Sequence, residues 1–278
     1  MRNRWRVLVY LIQRLSVKKK YSKSLANKIL FLLTKEYHYG ERISFYSFFP
    51  HNYGPFSNEF YRDLGELKRD GFIDENTNLT KKGKDFANIL SYEFQAPVDK
   101  LVDKFNYNSI REYVYSKYPE YAQRSKLISN KKRKFKPGIF TIGYEKENID
   151  SFLDKLIQNH IDVLVDVRYN PFSMNFVFTD KILTGYLNRA DINYIHIPEL
   201  GIPGENRKKL YSQKDYDELF VYYRRNILTR NKQSIDKLYN LGNKKRIALM
   251  CFEKNIEQCH RGVLAKKLNR MGNEVVHI

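Results

Sequence analysis

The chain has no run of about 18 apolar residues, so nothing in the sequence can span a bilayer as a helix, and a membrane is not expected as its partner. Only two cysteines occur, Cys251 and Cys259, both late in the chain, too few for a disulfide framework. That scarcity points to a reducing, cytoplasmic compartment. Internal repeats and low-complexity tracts are also missing, which excludes solenoid architectures and biased tails. The opening MRNRWRVLVYLIQRL is basic, then apolar. Gln13 and Arg14 break its apolar stretch and no small-residue cleavage site follows, so it reads as a helix and not as an export signal. Acidic residues are under-represented: 50 Lys and Arg face 31 Asp and Glu, a formal charge of +19. Such a charge repels itself and implies a polyanionic partner, nucleic acid before an anionic membrane surface. With 278 residues there is room for two domains, each with its own core.

Residues 1–123 read as a mostly α-helical winged-helix domain. Trp5, Leu8, Val9, Ile12 and Leu15 recur at helical spacing, as do Leu25, Ile29, Leu32 and Leu33 after a Ser22 or Ser24 cap. A third helix starts at Ser57, aligns Phe60, Leu64 and Leu67, and stops at Gly71. Short strands at 71–73 and 79–80 around a polar turn, then a helix capped by Thr80, complete the outline, which places one helix in the DNA major groove. The strings Tyr53-Gly54-Pro55-Phe56-Ser57 and Val114–Tyr121 resemble segments of helix-turn-helix-like modules that head several bacterial proteins. Such modules also serve as protein-interaction or homodimerisation units. Glu59, Asp63, Glu66 and Asp70 on the third helix weaken a sequence-specific DNA reading. The many aromatics between Phe45 and Tyr61 read as core before they read as a base-stacking surface.

From Arg124 to Lys136 seven cations and no acid precede Pro137-Gly138, a basic linker over 124–137 able to grip phosphates as well. After it the grammar changes. Apolar runs at 138–142, 163–165, 194–197, 247–250 and 274–278 alternate with helical patterns at 149–157, 182–187, 214–228, 233–241 and 261–271. Strand and helix alternating in this way predict an α/β domain over 138–278 with a Rossmann-like open parallel sheet.

In such sheets ligands bind beyond the carboxyl ends of the strands. The reactive side chains fall there: Thr141-Ile142-Gly143-Tyr144-Glu145, Asp166-Val167-Arg168, His196-Ile197-Pro198-Glu199-Leu200-Gly201, Cys251-Phe252-Glu253, and Cys259-His260-Arg261 at a helix start. TIG-x-E, DVR-x-x-P-x-S, H-x-P-x-LG and C-x-E-x5-CHR, in that order, resemble the motif set of the family called domain of unknown function 488 (DUF488). The resemblance implies an α/β domain and marks Thr141, Gly143, Asp166, Arg168, His196, Cys251, Glu253, Cys259, His260 and Arg261 as its matching positions. It implies no established reaction.

Cys259 at a helix N-terminus near Arg168 and Arg261 is expected to be largely thiolate. Arg168 and Arg261 suit an anion, Glu253 or Asp166 a general base, and His196 or His260 a proton shuttle. The structural alternatives stay open: Cys251 as packing, Asp166 with Arg168 or Arg261 as an ion pair, His260 as a cap. No cofactor motif is evident. A metal held by Cys251, Cys259 and a histidine also stays open, although their separation matches no zinc-ribbon or finger spacing. The Tyr- and Arg-rich stretch Gly204–Asn231 is the candidate for substrate specificity. Three functions fit: a nucleic-acid-associated, thiol-dependent enzyme acting on a nucleotide, modified base or other anion; a DNA-binding regulator sensing an anion, metal or redox state; or a defence-type interaction module with a vestigial site. The intact polar set argues against the last.

Overall fold

The computed structural model describes residues 3–128, 135–207 and 210–278. The linker expected over 124–137 lies in large part outside them. The chain divides into two compact units, Met1–Lys131 and Lys132–Ile278. No helix among the described residues is long and apolar enough to cross a membrane.

Unit one runs α1 (Asn3–Val17), α2 (Lys23–Tyr37), α3 (Tyr39–Arg42), β1 (Phe49–His51), β2 (Gly54–Phe56), α4 (Asn58–Arg69), α5 (Lys81–Asn88), α6 (Tyr92–Lys104), α7 (Tyr107–Lys117) and α8 (Pro119–Ala122). The helix starts are fixed by side-chain caps: Ser22 accepts from the Leu25 amide, Ser57 from Phe60 and Thr80 from Gly83. Leu8, Ile12 and Leu15 of α1 and Ile29, Leu32 and Leu33 of α2 are buried in one aromatic-rich core with Phe31, Tyr39 and Phe60.

Two features differ from the sequence reading. The strands expected at 71–73 and 79–80 reduce to a single antiparallel bridge, Ile73 to Leu79. Asp74 closes the turn itself, with its amide on the Asn78 carbonyl (2.9 Å) and its carboxylate on the Asn78 amide (2.8 Å), and Thr80 already caps α5. A hairpin instead precedes α4, pairing Phe49 with Phe56 and Pro50 with Pro55. Its opposed prolines cannot donate to a ladder, which hid it from a strand reading. It is held by ring contacts (Phe49 edge-on to Phe56, 5.6 Å; His51 tilted against Phe56, 4.7 Å) and by Asn27, whose amide donates to the Pro55 carbonyl.

The acids of α4 also change meaning. Asp63 and Glu59 point into the core, where the Arg4 guanidinium binds Asp63 through Nε (2.6 Å) and Nη2 (3.0 Å) and Glu59 through Nη1 (3.2 Å). The Tyr46 hydroxyl adds a bond to Asp63. The exposed face of α4 therefore shows Tyr61, Arg62, Gly65 and Arg69.

Unit two is an α/β layer. Its strands β3 (Gly138–Gly143), β4 (Val163–Asp166), β5 (Asn193–His196), β6 (Arg246–Cys251) and β7 (Val275–His277) form one all-parallel sheet in the order β5-β4-β6-β3-β7. The connecting helices are α9 (Ile149–Gln158), α10 (Asp180–Arg189), α11 (Gln213–Tyr222) continuing as a π-helical turn (Tyr223–Leu228), α12 (Lys232–Gly242) and α13 (His260–Arg270). The inner strands are covered on both faces, which is why they read as unbroken apolar runs. On one face Ile139, Val163, Val165, Ile247 and Leu249 pack against Leu219, Tyr223, Leu238, Val263 and Leu264 of α11–α13. Cys251 follows Leu249 in that alternation, whereas Asp166 follows Leu164 onto the opposite face. The sheet thus sends the thiol and the carboxylate to different sides.

Candidate functional site

At the carboxyl ends of β3, β4 and β6 a cavity of about 430 Å³ opens. Its floor includes Cys251, its walls Tyr144, Arg168 and Arg207, and its mouth Lys146, Tyr169, Phe172 and Phe252. The sequence-expected residues fall into three groups around it.

Asp166 and Arg168 form the first group. Both are buried. Arg168 Nε binds both Asp166 oxygens (2.9 and 3.1 Å) and Nη2 binds Oδ2 (2.6 Å). The Tyr194 hydroxyl donates to the same carboxylate (2.7 Å). With those partners, and the Arg168 amide as another donor, Asp166 is a saturated structural anion and not the general base entertained from sequence. The rest of the guanidinium reaches the Tyr144 hydroxyl (2.7 Å) and the carbonyls of Pro171 and Phe178. It thereby fixes the loop after β4 and sets Tyr144 into the cavity wall. Asp166 holds the Arg168 guanidinium charged, above its ordinary range, despite burial.

Cys251, Glu253, Cys259 and His260 form the second group, and all are buried. His260 opens α13, and its Nε2 lies 2.9 Å from the Val167 carbonyl, so Nε2 carries a proton and Nδ1 faces the Cys251 sulfur at 3.8 Å. Cys251 as a thiol donates to Glu253 Oε2 at 3.2 Å. As a thiolate it accepts from Cys259 and from His260. The Cys259 bond, helped by the charge of His260, draws the Cys251 thiol down to about 6 against the opposing effect of burial. Burial pushes His260 down, but the neighbouring Cys251 charge reverses this and raises it. Burial would also raise Glu253. Arg207, which forms an ion pair with it, and the two thiols hold it at about 2 instead.

The expectation for Cys259 is corrected here. It caps α13 only by position, with no side-chain bond to the helix, and is 1% exposed. Burial, then the hydrogen bond to Cys251, pushes the Cys259 thiol well up while Cys251 is drawn down, the reverse of the expected activation of Cys259. The two sulfurs and His260 Nδ1 all lie within 4.8 Å of one another, a set that could also hold a metal ion.

The third group lies off the cavity. Arg261 is no anion grip: it donates to the carbonyls of Glu253 and Lys254 and staples the β6 loop to α13. Thr141 bonds His277 Nδ1 at 2.7 Å within the sheet. Gly143 serves close approach and not an anion, since a Cβ there would collide with the Glu253 carbonyl. Gly201 is similar, with the Tyr169 backbone in the way of a side chain. His196 places Nε2 2.8 Å from the Arg168 carbonyl and faces a separate hollow with Glu199, Ser234 and Lys237, so it supports the loop and cannot shuttle protons to Cys251.

Two residues outside the expected set matter. Arg207 comes from the stretch Gly204–Asn231 singled out for specificity, and its charge is shared between Glu253 and the thiols. Tyr223, on the π-helical turn, packs edge-on against the His260 ring (5.3 Å) and donates to the Leu200 carbonyl. A lone Tyr at helical spacing carries no signal that separates it from core.

Residues 148–268 match the family described as Domain of unknown function DUF488, so the C-terminal half carries a DUF488 domain. The match includes Asp166, Arg168, Cys251, Glu253 and His260, and begins after Thr141 and Gly143. No curated protein and no solved structure matches the chain.

Proposed function

We propose, with the DUF488 domain as premise, that unit two is a thiol-dependent enzyme acting on a nucleotide, a modified base or another small anionic substrate. The observation that carries this is the setting of Cys251: a low-lying thiol on the cavity floor, with His260 Nδ1 at 3.8 Å on one side and Glu253 on the other. The Cys251 thiolate attacks the substrate's electrophilic atom, and the His260 imidazolium gives its Nδ1 proton to the leaving group. Arg207 and Lys146 hold the anionic portion, while Phe172, Phe252 and Tyr169 offer flat surfaces to a ring. A cavity of about 430 Å³ is within the range of small-ligand sites. Rossmann-like ligand placement beyond the strand ends accords with the sheet order.

Unit one, on this reading, is a winged-helix-type module that brings the enzyme to nucleic acid. The exposed face of α4 offers Arg62 and Arg69 to it, ion-paired in this structure with Glu59 and Glu66 and with Asp70. A second reading is favoured by the closeness of Cys251, Cys259 and His260, with His260 oriented by the Val167 carbonyl as metal-bound histidines are: a regulator whose trio senses a metal ion. Elemental analysis of the purified protein separates the two.

The enzyme reading is tested by iodoacetamide labelling with peptide mass mapping. Cys251 is labelled in the folded protein, a nucleoside 5′-monophosphate slows that labelling, and Arg207→Ala relieves the protection. Labelling indifferent to nucleotides refutes the substrate class. Cys251 left unlabelled until the protein unfolds refutes the nucleophile.

A further inference from the structure

Away from the thiol cavity, unit two carries a second concavity of about 380 Å³ between α13 and the segment from Arg224 to Asp236. Lys266, Lys267 and Arg270 rise along one stripe of α13, and Arg224 and Lys232 stand on the facing wall. All five are exposed, against a single acid, Asp236. Among the described residues only Lys266 of the five has a carboxylate partner, Glu257 at 3.5 Å. Four facing cations without counter-ions repel one another, a cost relieved by an anion laid between the walls. Helical rise sets Lys266 and Arg270 about 6 Å apart along the axis, and one strand of duplex DNA presents a phosphate about every 3.4 Å of its axis.

Among the described residues no aromatic side chain lines this groove, which leaves no surface there for stacking bases, in contrast to the thiol cavity. Its floor is Leu228, Ile235, Val263 and Met271, recessed between cationic rims. A smaller hollow that shares Arg224, Val263 and Lys266, and is lined also by Asp217 and Glu257, reaches Cys259.

We infer that this groove binds the sugar-phosphate backbone of nucleic acid, without preference for base sequence. It does not rest on the thiolate chemistry, and it places a polyanion contact on the domain that carries the site. Binding is measured with the full chain by fluorescence anisotropy of labelled duplex DNA of two unrelated sequences, between about 50 and 200 mM salt. Lys267→Gln with Arg270→Gln removes two phosphate contacts and makes the log–log salt slope shallower by about 1.8. The double variant then loses about 12-fold less affinity than the parent across that range, equally for both sequences. Arg224→Gln with Lys232→Gln, on the opposite wall, gives the same change. Arg62→Gln with Arg69→Gln reports unit one separately. The inference is overturned if both groove pairs leave the slope unchanged, whether or not the unit-one pair alters it. It is also overturned if the groove variants weaken binding only to phosphatidylserine vesicles.

Discussion

Removing the Arg168 guanidinium exposes what the buried pair with Asp166 does. Arg168→Met keeps the length and apolar stem but deletes donors to both Asp166 oxygens, to the Tyr144 hydroxyl and to the Pro171 and Phe178 carbonyls. Asp166, 0% exposed, keeps among the described residues only the Tyr194 hydroxyl and the residue-168 amide. Leaving a buried carboxylate without its counter-charge costs about 3–5 kcal/mol. Asp166→Asn added to Arg168→Met removes that charge and restores much of the loss, whereas two independent sites would add their costs. The single tryptophan, Trp5, lies in unit one, so fluorescence does not follow unit two. Hydrogen exchange of the β4 and β6 amides does. Protection in Arg168→Met within about 0.5 kcal/mol of the parent would refute the reading of Asp166 and Arg168 as a structural pair. A double variant no better than the single would refute it equally.

Other perturbations test neighbouring parts. Glu253 is held at about 2 against an ordinary 4.5, so its stabilisation is complete above about pH 4.5 and is lost as pH falls toward 2. Discounted for the 32% exposure of the Arg207 side chain, it amounts to about 2 kcal/mol. Calorimetry between pH 5 and 3 should show Arg207→Gln losing less stability on acidification than the parent. Gly143→Ala drives a Cβ into the Glu253 carbonyl and costs about 1–3 kcal/mol or more, read as a lowered melting transition of unit two. Arg4→Met leaves Asp63 and Glu59 buried without their cation and costs about 3–5 kcal/mol, read directly from Trp5 fluorescence in urea.

The strands and helices of unit two were legible because a covered parallel sheet leaves a periodicity that few other arrangements mimic. The gathering of strand ends was legible for the same reason, since topology alone sends Arg168 and Cys251 to one edge. Which residue does what was not. Cys259 looked activated from its place at a helix start, but burial raises both thiols, and the Cys259 hydrogen bond with the His260 charge overcomes it only at Cys251. Asp166 and His196 are equally placed in the motif order, yet alternation along β4 turns one into an ion pair and β5 sends the other to a separate hollow. Arg207 was invisible because its partner Glu253 lies far along the chain. In unit one, caps at Ser57 and Thr80 located the helices, while the opposed prolines hid the hairpin and nothing in the helical pattern announced the buried pair of Asp63 with Arg4.

Thiolate absorbance in the ultraviolet, followed against pH, measures the ionisation of Cys251 itself. In Cys259→Ser, which keeps a hydroxyl donor beside the sulfur, a single inflection below the ordinary cysteine value is expected, and replacing His260 with Asn should move it upward. An inflection at the ordinary cysteine value of about 8.5, unmoved by the loss of His260, would contradict the thiolate–imidazolium pair on which the proposed chemistry stands.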